Sequence, residues 1–252
     1  MRITNRNGKI ITDFGTWRDA FIEVDNEDHW KKGRSAYSLA SHFTNPSIEQ
    51  SGGEKVLLKC MKLFGFENIV FEHAEIEHES RFDAFRGKGR IQDIIIWARN
   101  KETQIAICIE AKVDEEFDSY IPDAYKEKKK YVEKKTNSKT LKRLEELCKQ
   151  YYKDKDIEEL KNIRYQLLYY LAGSIAESKK LDDVVFMPII VYKTDDYDKD
   201  KGNENKKDYE QFMKSLRFEQ IPNDDRNILL YKKKFEDIIV YSAYIEVEQL
   251  SN

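Results

Sequence analysis

The chain has 252 residues, of which 40% are hydrophobic and 36% charged, and its formal net charge is −3. This length suits one large domain, or a domain with a small appendage, and the charged fraction with only four prolines indicates a solvated surface without long linkers. Because apolar runs such as residues 184–191 are too short to cross a bilayer and no signal-peptide pattern opens the chain, we expect a soluble, cytoplasmic protein.

The first 45 residues predict short elements rich in aromatic side chains. A strand or loop is expected around residues 9–11, followed by helical pieces around residues 16–24 and 35–43. Large aromatic side chains in such a segment usually pack against a core. The packing anchors that we predict are Trp17, Phe21, Trp30 and Tyr37.

The next segment predicts a helix followed by an acidic strand. Apolar positions within residues 46–66 repeat at helical spacing, and a helix that begins near residues 51–54 places Glu54 in its first turn, where the helix dipole favours an acid. Residues 69–79 alternate as a half-exposed strand does, with the acids at positions 75, 77 and 79 on one face. Such a face is either solvated or adds a ligand to a nearby site.

Residues 89–112 predict a β-hairpin with charged residues towards its open end. Two Ile-rich strands flank the polar residues 99–102, which suit a tight turn. Depending on which two of these residues form the turn, Asp93 lies opposite Cys108 or opposite Glu110.

Both registers predict that Asp93, Glu110 and Lys112 share one face, because side chains alternate along a strand. Buried charges are costly unless a partner or a metal compensates them. Two carboxylates at this spacing repel unless a proton or a cation lies between them, and hard oxygen ligands suit Mg²⁺ or Mn²⁺. Lys112 would orient a water molecule or neutralise charge on a phosphorane-like transition state, so the pattern predicts a phosphodiesterase site.

The rest of the chain predicts an α/β protein with a mixed sheet flanked by helices. Helices are expected over residues 139–152 and 154–176, and a strand over residues 184–192. Pro188 would suit an edge or an irregularity of that strand. The charged residues 194–208 predict a loop. The remaining elements expected are a short helix at 209–216 and strands at 228–231 and 238–247.

A basic stretch follows the hairpin. Residues 126–143 contain nine Lys or Arg and only two Glu, with tyrosines interleaved. A stripe of this kind, including Lys128, Lys129 and Lys130, can follow a phosphate backbone and stack bases. The alternative is a solvated helical face in a lysine-rich chain.

Cysteines and histidines offer no further site. Cys60, Cys108 and Cys148 are widely spaced and fit neither a disulfide framework nor a zinc motif, so Cys60 and Cys108 are expected to be buried. The four histidines show no helical pairing and receive no catalytic role.

Asp93, followed after the hairpin by Glu110-Ala111-Lys112, resembles the signature of the PD-(D/E)XK nuclease superfamily, although Gln92 replaces the proline that names the motif. The resemblance implies a restriction-endonuclease-like mixed central β-sheet flanked by helices over residues 46–252, with residues 1–45 as a helical and irregular extension. It also implies that Asp93 and Glu110 bind Mg²⁺ and that Lys112 helps to activate the attacking water.

Two further elements fit the same resemblance. Members often carry a glutamate on the helix before the hairpin, which makes Glu54 either a third metal ligand or only a first-turn acid. Gln166 and Tyr170 are similar to the Q-x-x-x-Y motif of the RecB-like branch and would help to place substrate. Tyr170 could equally be an amphipathic residue at the edge of the core.

The whole chain is most similar to a less characterised bacterial branch of the superfamily. That branch combines segments matched here by residues 33–37, 110–117 and 164–168. The last of these contains Arg164, which on a largely buried helix should have a carboxylate or phosphate partner and is included among the substrate-binding residues.

Our leading hypothesis is therefore a Mg²⁺-dependent nuclease, with DNA preferred over RNA by analogy and a role in restriction or anti-phage defence. The alternative is a catalytically silent nuclease-fold module that binds nucleic acid or a partner protein. A small-molecule enzyme has little support because no phosphate loop or cofactor fingerprint is present. Whether the chain forms a homodimer is left open.

Overall fold

The computed structural model describes residues 1–44, 51–135, 137–153, 155–181 and 184–249. Its strands are β1 (Arg2–Asn5), β2 (Ile10–Ile11), β3 (Val70–Ser80), β4 (Arg90–Arg99), β5 (Gln104–Lys112), β6 (Val184–Lys193), β7 (Glu219–Ile221), β8 (Ile228–Phe235) and β9 (Ile238–Glu248). Its α-helices are α1 (Phe14–Ile22), α2 (Ser35–Thr44), α3 (Gly52–Leu63), α4 (Ile121–Lys134), α5 (Thr140–Tyr152), α6 (Tyr165–Lys179) and α7 (Lys199–Ser215).

All nine strands of the described residues form one mixed sheet in the order β2-β1-β3-β4-β5-β6-β9-β8-β7. The pairs β1/β3, β5/β6 and β6/β9 are parallel, and the other pairs are antiparallel. Helices cover both faces, so the predicted α/β class with a mixed central sheet is confirmed. No helix in the described ranges combines the length and apolarity that a membrane span requires.

The sheet separates two hydrophobic cores. Ile94, Ile96 and Ile107 pack on the side of α1, α2 and α3, which we call the α1–α3 face. Ile95 and Cys108 pack on the side of α4, α5, α6 and α7, which we call the α6 face. The alternation of neighbouring Ile residues between the two cores explains why both central strands are apolar throughout.

The hairpin adopts the second of the two predicted registers. Arg99 pairs with Gln104, and the amide of Asn100 donates to the carbonyl of Thr103 at 3.0 Å. Ile94 consequently pairs with Ile109, which brings Asp93 opposite Glu110 in sequence register. The turn is therefore centred on Lys101 and Glu102, one residue later than in the alternative register.

Pro188 does not lie at an edge, because β6 has β5 on one side and β9 on the other. The predicted irregularity is present: the β5/β6 ladder pairs Ile107 with Phe186 and next Glu110 with Ile189, leaving a gap that includes Pro188. A proline supplies no N–H to a ladder, so a central strand tolerates it only at such a gap.

Two predicted elements in the second half were wrong. The helix expected over residues 154–176 begins at Tyr165, because Arg164 is extended and forms a β-bridge with Tyr120; residues 157–160 form only a 3₁₀ turn, and residue 154 lies outside the described residues. The loop expected over residues 194–208 is mostly α7, which Asp198 caps by accepting from two amides.

The N-terminal segment contributes to the same sheet. β1 pairs in parallel with β3, and β2 extends the edge. Trp17 and Phe21 are buried, and the rings of Trp30 and Tyr37 lie in contact, so their predicted role as packing anchors is confirmed. Residues 45 and 46, where the predicted extension ends, lie outside the described residues, and that division remains a prediction.

The three cysteines are buried, as predicted for Cys60 and Cys108, and all three are free thiols.

Candidate active site

Strand β4 loses its main-chain pairing on both sides at Asp93. The β3/β4 ladder pairs Ile76 with Ile94 and His78 with Gln92 but skips Asp93, and the β4/β5 ladder starts only at Ile94. The Asp93 carboxylate instead accepts the amide of Ala111 at 2.7 Å through Oδ2. A side chain thus replaces a main-chain contact at this point of the sheet.

Glu110 is the centre of a buried polar network at the end of β5. Its Oε1 accepts from Nε2 of Gln166 at 2.7 Å and lies 3.2 Å from Nζ of Lys112, while its Oε2 accepts from Nη2 of Arg90. Nζ of Lys112 also donates to Oε1 of Gln166 at 3.2 Å. Glu110 and Lys112 are only 3% and 8% exposed, so these contacts fix both side chains.

Gly173 allows α6 to approach the hairpin closely enough for these contacts. A Cβ at this position would lie 2.8 Å from Cβ of Arg90 and 3.0 Å from Nε2 of Gln92. The absence of a side chain therefore lets α6 hold Gln166 against β5 while Arg90 reaches Glu110.

The Asp93 carboxyl is close enough to Glu110 for the two charges to interact. Burial, and then the negative charge of Glu110, raises the pKa of Asp93 to about 7, against the opposing effects of Arg90 and Lys112. A carboxyl with this pKa is easily protonated near neutral pH, or is stabilised as an anion by an added cation.

Asp93 differs from the prediction in the face it lines. Gln92 packs against α6, yet Ile94 belongs to the core of the α1–α3 face, so the alternation of β4 reverses between them. Asp93 lines a cavity of about 170 Å³ on the α1–α3 face. Glu110 and Lys112 contact Gln166 of α6 on the other face, whereas Asp93 accepts the amide of Ala111, the residue between them.

Glu77 also belongs to this site, although the sequence did not distinguish it from the other acids of β3. It is the partner that the β3/β4 ladder skips opposite Asp93, its φ is +53°, and it lines the same cavity. Burial, followed by the charge of Asp93, raises the pKa of Glu77 well above its usual value. The acidic alternation of β3 was the only signal for it.

The predicted alternation of β3 breaks at Glu77. Nδ1 of His78 lies 2.7 Å from Oε1 of Glu75, and its Nε2 lies 3.2 Å from Oε1 of Glu177 on α6. Glu75 and His78 therefore lie on one face, although the sequence pattern assigned them to opposite faces. The single positive φ at Glu77 accounts for the reversal.

Glu54 is held at the start of α3. Its carboxylate and Ser51 form a capping box, and its Oε1 lies 3.8 Å from the amino group of Met1. The structure shows no contact between Glu54 and Asp93 or Glu110. In the described ranges, no three His, Cys, Asp or Glu side chains form a group that could hold a metal; ligation by Glu54 remains a prediction.

Arg164 has the carboxylate partner that its burial predicted. Its Nε donates to Oδ2 of Asp208 at 2.6 Å, its other nitrogens reach Glu116 and Glu204, and its guanidinium lies 4.0 Å from the ring centre of Tyr120. These contacts join α6 to α7 and to the loop after β5. Binding of substrate by Arg164 stays a prediction.

Tyr170 lies beneath the site and is 1% exposed. Its hydroxyl contacts the carbonyls of Cys108 at 2.5 Å and Pro188 at 3.0 Å, at the gap between β5 and β6. From this position Tyr170 supports the strands that carry the site. Its contact with substrate remains a prediction.

The predicted basic stripe is the exposed face of α4 and the start of α5. Lys129 and Lys130 are exposed, whereas Lys128 is half-buried with Nζ 4.4 Å from the ring centre of Tyr165. Because Tyr165 precedes Gln166, the stripe begins beside the turn of α6 that contacts Glu110.

The three segments that suggested a bacterial branch are in contact. Nη1 of Arg34 donates to Oδ1 of Asp114 at 3.0 Å, and the amide of Ser35 donates to Oε1 of Glu115 at 3.3 Å. Nη1 of Arg164 donates to Oε2 of Glu116 at 3.2 Å. The acidic residues after Lys112 thus connect the N-terminal segment to α6.

Comparison with known families gives one match, which covers residues 11–249 and is described as Domain of unknown function (DUF6946). The chain belongs to this family. The match includes the hairpin, α6 and the N-terminal segment from residue 11 onwards in a single span. No curated protein and no solved structure matches the chain.

Proposed function

We propose that the chain is a metal-dependent nuclease with a restriction-endonuclease-like fold. The observation that carries this proposal is the network in which Lys112 and Gln166 hold the buried carboxylate of Glu110 while Asp93 lies within electrostatic range of it. The same network supports the resemblance to the PD-(D/E)XK superfamily. In the sequence, only order and spacing linked Glu110, Lys112 and Gln166, whereas in the structure their side chains are in contact.

The available oxygen atoms fit a Mg²⁺ or Mn²⁺ ion. Within the described residues, no hydrogen bond reaches Oδ1 of Asp93. Glu110 accepts two hydrogen bonds and pairs with Lys112, and it keeps acceptor capacity because a carboxylate offers about four lone-pair sites. Mg²⁺ commonly binds through one or two carboxylates and keeps several waters. When bound, such an ion would act as a Lewis acid and lower the pKa of a water molecule.

Lys112 supplies a fixed positive charge at this point. Its ammonium is held by Glu110 and Gln166 and lies 5.4 Å from the ring centre of Phe117. A fixed donor needs little reorganisation, so Lys112 would orient the attacking water or stabilise charge that develops on the phosphate. Gln166 would keep Lys112 and Glu110 in their relative positions.

Nucleic acid is the substrate class that the charge distribution supports. The exposed lysines of α4, including Lys129 and Lys130, would contact phosphates, and Lys128 lies next to the turn that carries Gln166. We propose DNA in preference to RNA, and a role in restriction or anti-phage defence, by analogy with the superfamily.

Metal-dependent cleavage by matched variants tests the nuclease proposal. Wild-type protein, Asp93→Ala and Lys112→Ala would be incubated with labelled single- and double-stranded DNA and RNA, in Mg²⁺, in Mn²⁺ and in EDTA. Loss of these residues should slow cleavage by about 100-fold or more without loss of circular-dichroism signal. Lys101→Ala, in the exposed turn of the same hairpin, is the control. Undiminished cleavage by the two site variants would refute the assignment.

One observation favours a second candidate, a nuclease-fold module that binds without cutting. Arg90, Lys112 and Gln166 satisfy Glu110 from within the chain, so this network is balanced without an added cation. Titration with Mn²⁺ separates the two candidates. The binding module predicts neither stabilisation by the metal nor cleavage, together with retained binding of nucleic acid; the nuclease predicts both metal effects.

A further inference from the structure

Glu77 lies opposite Asp93 on the neighbouring strand, and both residues line the cavity on the α1–α3 face. The pairs Ile76–Ile94 and His78–Gln92 on either side keep one register, so Glu77 and Asp93 face each other across the skipped position. Both side chains line the same cavity, so their carboxylates face a common space although both strands are irregular at this point.

The backbone of Glu77 is strained in a way that directs its side chain. Its φ of +53° lies in the left-handed region, which a glutamate rarely adopts. The consequence is that Glu77 lines the cavity on the α1–α3 face, whereas Glu75 and His78 contact each other on the α6 face. The left-handed backbone at Glu77 costs stability and turns its carboxylate towards the cavity that Asp93 lines.

Glu77 also differs from the other acids of β3 in its partners. Glu75 pairs with His78, and Glu79 accepts from Arg81 and from the amide of Gly89. Within the described residues, no side chain or amide donates a hydrogen bond to Glu77. Its carboxylate is consequently available to a ligand in the cavity.

The cavity has the size and the polarity that suit a hydrated cation. Its volume is about 170 Å³, enough for an ion with several water molecules, since water occupies about 30 Å³ in the liquid. Trp17, Phe21 and Leu39 form apolar walls, and Asp25 and His29 add polar groups. A dry wall strengthens the attraction between the carboxylates and a cation.

We propose that Glu77 is the carboxylate that shares the catalytic cation with Asp93, in the role that the sequence had suggested for Glu54. This inference rests on the proposed nuclease function: Glu77 would add a ligand from the α1–α3 face, where it lines the cavity with Asp93, whereas Glu110 lies on the α6 face of the same sheet. Glu54 is engaged in the cap of α3, whereas Glu77 lines the same cavity as Asp93. A pair of carboxylates completed by water is a common arrangement for Mg²⁺.

Binding of Mn²⁺, followed through the signal of the free ion in electron paramagnetic resonance, tests the inference without requiring activity. Wild type, Asp93→Asn, Glu77→Gln and Glu54→Gln would be titrated, with Glu79→Gln as a control on the same strand. We expect Asp93→Asn and Glu77→Gln to weaken Mn²⁺ binding by about ten-fold or more, and Glu79→Gln to bind as wild type does.

A second variant separates a ligand from a structural residue. Glu77→Gly removes the carboxylate and places the residue best suited to a positive φ, so the fold should be retained while Mn²⁺ binding weakens as in Glu77→Gln. Thermal denaturation checks the fold of each variant.

The outcomes distinguish this inference from the function on which it rests. If Asp93→Asn weakens Mn²⁺ binding but Glu77→Gln and Glu77→Gly do not, Glu77 is not a ligand and the nuclease proposal stands. Loss of binding in Glu54→Gln alone would return the role to Glu54. If wild-type protein neither binds Mn²⁺ nor cleaves nucleic acid, the proposed function fails, and the inference fails with it.

Discussion

At the scale of single residues, Gln166 is the side chain that joins α6 to the hairpin. It donates to Glu110 and accepts from Lys112, so its amide orients both charged groups at once. Gln166→Ala would remove this restraint and leave both partners less precisely placed. We expect single-turnover cleavage to fall by about 10- to 100-fold, because small errors of position reduce rates strongly.

Gln150→Ala, at an exposed position of α5, is the matched control for Gln166→Ala. Equal rates for the two variants would show that Gln166 does not position the reacting groups.

Replacing Tyr170 tests whether this residue supports the strands or contacts the substrate. Its hydroxyl satisfies carbonyl groups at the gap between β5 and β6. Tyr170→Phe leaves these buried acceptors unpaired and should lower the free energy of unfolding by about 1–3 kcal/mol in urea denaturation, with the cleavage rate of the folded protein unchanged. A large loss of cleavage without loss of stability would instead indicate a direct contact with substrate.

The sequence was informative about some site residues and silent about others. Lys112, Glu110 and Gln166 follow from strand spacing and a family pattern, and the structure brings them together. Glu77 was predicted only as one of three acids that could add a ligand, and it could not be distinguished from the others, because the alternation rule assumes a regular backbone and its positive φ violates that assumption. The same reversal changed the face that Asp93 lines.

At the scale of elements, His78 links β3 to α6 through an ion pair. The carboxylates of Glu177 and Glu75 raise the pKa of His78 to about 9 although burial opposes them. Because this folded-state pKa exceeds the ordinary value of 6.5, the protonated ring stabilises the fold. The stabilisation is complete below about pH 6.5 and is lost as the pH rises through about 9.

The variant His78→Gln tests this link between β3 and α6. The difference in unfolding free energy between wild type and His78→Gln should be largest below pH 6.5, up to about 3 kcal/mol, and should decline towards alkaline pH. Urea denaturation at a series of pH values measures it. A difference that does not vary with pH would show that His78 is not protonated in the folded protein.

Elements were predicted well where local pattern and tertiary contacts agree. α5 and β6 lie close to their expected positions because their periodicity is strong. The start of α6 was misplaced because the bridge between Tyr120 and Arg164 holds the chain extended, which is a long-range contact. The first half of α7 was missed, and only residues 209–216 were predicted as helix, because the buried face of the first half includes Gly202, Asn205 and Asp208, residues that resemble a loop in composition.

At the scale of the whole molecule, a net charge of −3 coexists with a basic surface on α4. If this surface follows a phosphate backbone, replacing Lys129 and Lys130 by Gln should weaken DNA binding. The slope of log affinity against log salt should decrease by about 0.9 for each lysine that contacts a phosphate. Fluorescence anisotropy at several salt concentrations measures this slope.

The matched control removes the same charge from the other side of the sheet. Lys55 and Lys62 are exposed on α3, which covers the α1–α3 face, and their double replacement by Gln should leave the slope unchanged. Equal effects from both pairs would mean that the lysines act only through net charge, as the solvated-face interpretation holds.

The overall class was predictable, but the way the segments assemble was not. Alternating apolar strands and helices predicted an α/β fold with a mixed sheet. The contacts of Arg34 with Asp114 and of Arg164 with Glu116 join segments that are far apart in the chain, and no local pattern reports such contacts. β1 pairs with β3 although the two strands are far apart in the chain, and this pairing is also a long-range contact.

The most direct test of the central claim is the origin of the oxygen in the cleaved phosphate. Wild-type protein and Lys112→Ala would be incubated with DNA and Mg²⁺ in ¹⁸O-labelled water, and the new phosphate ends analysed by mass spectrometry. Hydrolysis at the proposed site predicts one labelled oxygen at each new phosphate end, with many such ends produced by wild type and almost none by Lys112→Ala. Equal labelling by both proteins, or DNA that stays intact and unlabelled, would contradict the account.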